Sequence, residues 1–316
     1  MNYCILLLIV IIALQGKTFG AQLDLKANVA EQVNRIRSTS GYSEQGFFEL
    51  PGVSLHKEDS PVSQLINYGM EVIPYLIPYL SDSTPTQAYR THGNGRKRRA
   101  LINEYIIFII SKIAEHEFYL PPELDGAQIH NTATVGVPRD ITELENQIRI
   151  WWQQNQAKSL LERKLNDLDD PIHNNRFSAY EWLGRERVYE GRIQLEERIN
   201  SLLIGPVDTL KQSEMAACAE SLSQIGDSKS VQAVRKVCEH LSYWIYMSYR
   251  PVEEGRSGVG SGQISTLFKA YQALARLGFK EEAISHLEEI KMKYLKEMEL
   301  SFQEEFLDRL QKATGW

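Results

Sequence analysis

The 316-residue chain predicts an all-α fold, an α-solenoid of antiparallel helix pairs with long irregular loops. Three observations predict it. Apolar residues recur at helical spacing over most of the chain beyond residue 61. The three prolines after Pro138 (Pro171, Pro206 and Pro251) all fall between periodic segments. A large aliphatic residue followed by glycine ends three predicted helices, at Gly184, Gly226 and Gly278. Composition agrees: 43% hydrophobic and 24% charged residues suffice for a buried core and exclude disorder. With 20 Gly, 11 Pro and 3 Cys, collagen-like, low-complexity and disulfide-dense scaffolds are excluded as well. A formal charge of −6 argues against a protein that coats nucleic acid, and no nucleic-acid partner is expected.

Residues 1–20 read as a signal peptide. Ile5 to Leu14 is a run of ten apolar residues, about half the length a bilayer-spanning helix needs and suited to a signal-peptide core. Thr18, Gly20 and Ala21 supply small residues for cleavage after Gly20 or Ala21, although Met1 to Cys4 contributes no Lys or Arg. Cleavage after Gly20 removes Lys17 and takes the formal charge from −6 to −7. No second long apolar run follows, so the mature protein is expected to be exported, periplasmic or extracellular, without a transmembrane segment.

Residues 21–140 form an N-terminal helical region with long loops. Leu25, Val29, Val33 and Ile36 space a first helix, and residues 38–60 read as irregular. Val62, Leu65 and Ile66 mark a short helix closed by Gly69; Val72, Ile73, Leu76, Ile77 and Leu80 mark the next. Pro74 suits its first turn, whereas Pro78 removes an internal hydrogen bond and predicts a kink. Asn103 to Ala114 is apolar on more than one side, as in a helix buried between neighbours. Phe118 to Arg139, with Pro121, Pro122, Gly126, Gly136 and Pro138, reads as a long loop.

Residues 141–316 form a C-terminal helical-repeat region. Ile141, Leu144 and Ile148 share one face with Trp151 or Trp152, and Leu160, Leu161, Leu165 and Leu168 continue or restart it. Asp169-Asp170-Pro171 breaks the chain, and Asn174 or Asn175 caps a helix carrying Phe177, Tyr180 and Leu183. Ser213–Ile225 and Ser230–Trp244 flank the turn Gly226 to Lys229, which sets Cys218 and Cys238 at matching distances from it. A disulfide and two buried thiols both satisfy that placement. Ile284 to Leu310 carries a continuous apolar stripe, read as one long C-terminal helix that caps the stack or pairs with another chain.

The closing glycines lie 42 and 52 residues apart, the second interval enlarged by the insertion RPVEEGRSGVGSGQ. Periods near 40–47 belong to two-helix solenoid repeats. On these residues, GMEVIPYLIPYLSD and SLSQIGDSKSVQAVRKVCEHL resemble degenerate HEAT-type repeats, and AYQALARLGFKEEAISHLEEI resembles a HEAT-like or tetratricopeptide-like hairpin. The resemblance covers mostly residues 61–114 and 176–295. It implies a binding or scaffolding role and transfers no catalytic residue.

The search for chemistry returns no catalytic residue, no metal site and no cofactor. The seven histidines are scattered without an HExxH pair, and neither GxSxG nor GxxxxGK[ST] occurs. Gly255, Gly258, Gly260 and Gly262 follow no strand and read as an inter-helix loop. Two features rise above this background. Arg90, Arg96, Lys97, Arg98 and Arg99 crowd one loop, a site for an anionic surface or a solvated stretch paired with local carboxylates. Trp151 and Trp152 point about 100° apart on a helix, so both are buried between helices or one is left as an interface anchor. The leading expectation is a non-enzymatic protein-binding repeat protein, an adaptor, inhibitor or assembly factor. The alternative is a binder of cell-envelope polymer, or a hydrolytic enzyme using His116, His130, Arg98 and Glu104.

Overall fold

The structure, a computed structural model, describes residues 24–43, 50, 59–91, 97–118, 140–204, 208–248, 261–294, 300–313 and 315. Residues 1–20, expected to be a signal segment, residues 119–139 of the predicted loop and the glycines at 255, 258 and 260 lie outside the described residues. Among the described residues the fold is all-α apart from one three-stranded sheet, and the chain divides into two compact units, residues 1–159 and 160–316. Among the described residues, no helix is long and apolar enough to cross a membrane.

In the first unit, helix α1 (24–37) buries Val29, Val33 and Ile36. Strand β1 (Ser40–Ser43) pairs parallel with β2 (Pro85–Thr91), which pairs antiparallel with β3 (Lys97–Leu101). Part of the basic segment expected to be a loop is therefore strand. Its inward positions hold Thr86, Ala88 and Ala100, fully buried but too small and too few to read as an apolar stripe. Thr86 Oγ1 donates to the Ala100 carbonyl at 2.9 Å inside the sheet.

Helix α2 (Pro61–Asn67) starts on Ser60, whose Oγ accepts from Ser63 N at 3.0 Å, and Gly69 turns the chain with φ +71°. The next predicted helix is broken into a 3-10 turn (Gly69–Val72), a four-residue α3 (Ile73–Leu76) and a second 3-10 turn (Ile77–Tyr79). Pro74 and Pro78 each withhold a backbone donor, so only short hydrogen-bonded runs form. Helix α4 (Ile102–Ala114) is buried on several sides, with Tyr105, Ile106, Ile109 and Ile110 fully enclosed. Helix α5 (Ile141–Asn155) starts on Asp140, which accepts from Thr142 N and Glu143 N, and adds Leu144 and Ile148 to the same core.

The second unit contains α6 (Leu160–Asp167), α7 (His173–Arg185), α8 (Arg192–Leu202), α9 (Thr209–Ile225), α10 (Val231–Ser248), α11 (Ser261–Arg276), α12 (Lys280–Tyr294) and α13 (Leu300–Ala313). Helix α9 packs on α7, α8, α10 and α11, helix α11 packs on α12, and α8 touches α10. Leu183, Leu222 and Leu274 share this core with Val234 and Leu287. The expected single C-terminal helix is instead two, α12 and α13. Helix α13 packs on α11, with Phe306 and Phe268 in edge contact at 5.0 Å. Residues 295–299, between α12 and α13, lie outside the described residues.

Gly184 does not close its helix as the repeat spacing suggested. It lies within α7 at the crossing with α9, where a Cβ would come within 2.8 Å of Ser221 Cα. The left-handed residue after α7 is Arg187, φ +53°, where α9 and α11 are followed by Gly226 (φ +78°) and Gly278 (φ +97°).

Candidate functional site

The predicted site residues do not converge. Arg96 lies outside the described residues, and Lys97, Arg98 and Arg99 belong to β3. Arg99 is exposed; its Nε donates to Tyr89 Oη at 3.3 Å and its guanidinium lies 5.7 Å from the Tyr89 ring centre. Trp151 and Trp152 are both half-buried against the first core. Trp151 closes an aromatic group with His116 at 5.3 Å and Phe118 at 5.4 Å. Glu104 and His116 stand at opposite ends of α4, about 18 Å apart along its axis. Glu104 accepts from Leu101 N at 2.8 Å and serves as a helix-start acceptor.

Cys218 and Cys238 are free and buried, so the disulfide considered for them is not formed. They serve different contacts. The Cys218 thiol lies in the electrostatic neighbourhood of Glu214, Arg198, Tyr180 and Arg176, whereas Cys238 lies near Glu239, Glu282 and Tyr271. Burial pushes both thiols up, which keeps them protonated and unreactive.

A buried ion cluster, invisible to spacing arguments, ties three helices of the second unit together. Glu214 on α9 is almost fully enclosed. It accepts from Arg176 Nε at 2.9 Å and Nη2 at 3.1 Å, from Tyr180 Oη at 2.5 Å, and from Arg198 Nη2 at 2.6 Å. Burial alone would raise its pKa. The hydrogen bonds from Arg176, Tyr180 and Arg198, with the charge of Arg176, outweigh burial and hold the carboxyl below its ordinary value. Tyr180, by contrast, is pushed up by burial and by the adjacent Glu214 charge. The donors of Arg176, Tyr180 and Arg198 converge on the one carboxylate, so the cluster fastens the three helices together.

Two surface features of the second unit do face outward. The first is a recess of about 180 Å³ lined by Ser242, Tyr243, Tyr271, His286, Lys293 and Tyr294 among others. Tyr271 and Ser242 share a hydroxyl hydrogen bond of 2.8 Å at its wall. Tyr243, 60% exposed, stands at the recess, and Met292 on α12 is 74% exposed. The second is an open, mainly polar pocket of about 480 Å³ lined by Gly184, Arg185, Arg187, Ser223, Gln224 and Arg276. It gathers the ends of α7, α9 and α11. The only separate signal in the sequence was the last-turn cations, since the residues of different helix ends converge from positions 36 to 92 apart. No known family matches the chain, and neither curated proteins nor solved structures give a match.

Proposed function

We propose that this chain is an exported, non-enzymatic helical-repeat protein that binds another protein, as an adaptor, inhibitor or assembly factor. The contacting pairs α9/α10 and α11/α12 support a HEAT-like solenoid reading of the second unit, because α7, α9 and α11 stack in sequence order. The observation that carries the binding role is the aromatic recess at Tyr243. At about 180 Å³ it is smaller than the roughly 300–1,000 Å³ of small-ligand pockets and suits one anchoring side chain. Tyrosines bring a large apolar face with a hydrogen-bonding tip at low entropic cost, the combination that interface anchors use. Export rests on the Ile5–Leu14 run and the small residues after it.

A photo-reactive residue in place of Tyr243 tests the role in intact cells. One dominant protein adduct is expected at this position and none at Ile150, an exposed apolar residue of the first unit. Equal or absent adducts at the two positions would remove the recess as a binding site.

A further inference from the structure

We infer that the pocket formed by Arg185, Arg187 and Arg276 receives a carboxylate from an acidic peptide segment of the protein partner, with Arg187 as its dedicated ligand. The inference deepens the binding role above and rests on it for the identity of the occupant as protein.

The turn after α7 supplies the first argument. Arg187 N donates to the Gly184 carbonyl at 3.0 Å and Val188 N to Leu183 at 2.9 Å. After α11, Gly278 N donates to Ala275 at 3.0 Å and Phe279 N to Leu274 at 3.3 Å. The two turns are the same device, and glycine performs it without the steric conflict a Cβ creates at positive φ. Arginine in that conformation is a handicap to folding, so its presence asks for a compensating use of the side chain. Favourable interaction with the helix end is not sufficient, because Arg185 already supplies a cation in the last turn of α7.

The surroundings supply the second argument. Among the described residues, no hydrogen bond or ion pair holds the exposed Arg187 guanidinium. Its two neighbours are only loosely engaged. Arg185 pairs with Glu186 at 3.0 Å with both side chains about half exposed, and Arg276 pairs with Glu220 at 3.5 Å. Such solvent-facing pairs hold weakly and yield readily to a better-placed anion. Three guanidiniums around one polar cavity match the planar, two-point geometry of a carboxylate, and the Gln224 amide adds a neutral hydrogen-bonding group. In a chain of net negative charge, the patch also gives an acidic segment one favourable place to land.

The test titrates a fluorescent hexaglutamate peptide into the processed full chain at low salt and follows anisotropy. Saturable, salt-sensitive binding is expected, with free glutamate and inorganic phosphate failing to compete at the same concentration. Arg187→Gly keeps the turn and relieves its backbone. It should leave the thermal midpoint unchanged or higher while weakening the peptide about tenfold. Arg149→Gln, which removes a surface cation of the first unit, should change affinity less than about twofold. Wild-type affinity in Arg187→Gly, or an equal loss in Arg149→Gln, overturns the assignment. Phosphate competing as well as the peptide overturns the peptide as occupant. The two readings fail separately. Partner capture at Tyr243 that survives Arg187→Gly without weakening removes the pocket and leaves the binding role. Peptide binding through Arg187 with no protein captured removes the role and leaves the pocket.

Discussion

Glu214 illustrates how one buried charge fixes the second unit. Removing a single member of a buried ion cluster strands the rest without compensation, which is why such deletions destabilise more than the cluster itself stabilises. Glu214→Gln leaves Arg176 and Arg198 facing a neutral amide. A loss of about 3 kcal/mol is expected at pH 7, measured by urea unfolding. The pH dependence has a definite sign. The folded carboxyl titrates below its ordinary value of 4.5, so the unfolded chain binds its proton first as the pH falls. The contribution is whole above about pH 4.5 and disappears as the pH drops through the folded value. The gap between wild type and Glu214→Gln should therefore shrink between pH 7 and pH 3. A gap that stays constant would mean that folding does not lower the group's pKa. Tyr180→Phe removes one donor from the same carboxylate while keeping the ring, and a smaller loss of about 1–2 kcal/mol is expected in the same assay.

At the scale of helices, the crossing of α7 and α9 turns on the missing side chain of Gly184. Alanine in a helix interior normally stabilises by about 1 kcal/mol relative to glycine. Here the new methyl would meet the Ser221 backbone, and Ser221 Oγ is itself engaged with the Tyr180 carbonyl at 2.7 Å. Neither helix can yield without disturbing that bond and the Glu214 cluster beside it. Gly184→Ala should thus lower stability by about 1–3 kcal/mol, and an unchanged or raised thermal midpoint would show that the crossing is looser than described.

The same glycine shows what the sequence discloses. Helical spacing identified α4, α7, α9, α10 and α11, because each hides a continuous apolar face. It placed the end of α7 too early, because a glycine needed for close packing looks the same in one dimension as a glycine needed for a turn. Strands β2 and β3 escaped notice because small residues line their inner face. The arginine pocket was legible only as isolated last-turn cations, since its members meet only through the stacking of three helix ends. The basic run at Arg96 to Arg99 drew attention by its local density, a property that does not require any three-dimensional convergence.

Across the whole chain, each unit encloses its own apolar cluster: Ile106, Ile109 and Ile148 in the first, Leu183, Leu222 and Leu274 in the second. Residues 160–316 are of a length at which one core normally suffices for independent folding. That fragment should therefore unfold cooperatively in urea with helical circular dichroism. The full chain should show two separable steps or a broadened transition, not one two-state curve. The Glu214 and Gly184 variants then provide the assignment, since substitutions distant from one another act independently. Each should move only the step that the fragment reproduces and leave the other where it was. A fragment without cooperative unfolding, or variants that shift both steps equally, would mean the two clusters stabilise each other. Under the expected outcome, both surface features proposed for binding reside in the fragment. Tyr243 and Arg187 can then be examined without residues 21–159, and any capture lost on removing those residues must be attributed to the first unit.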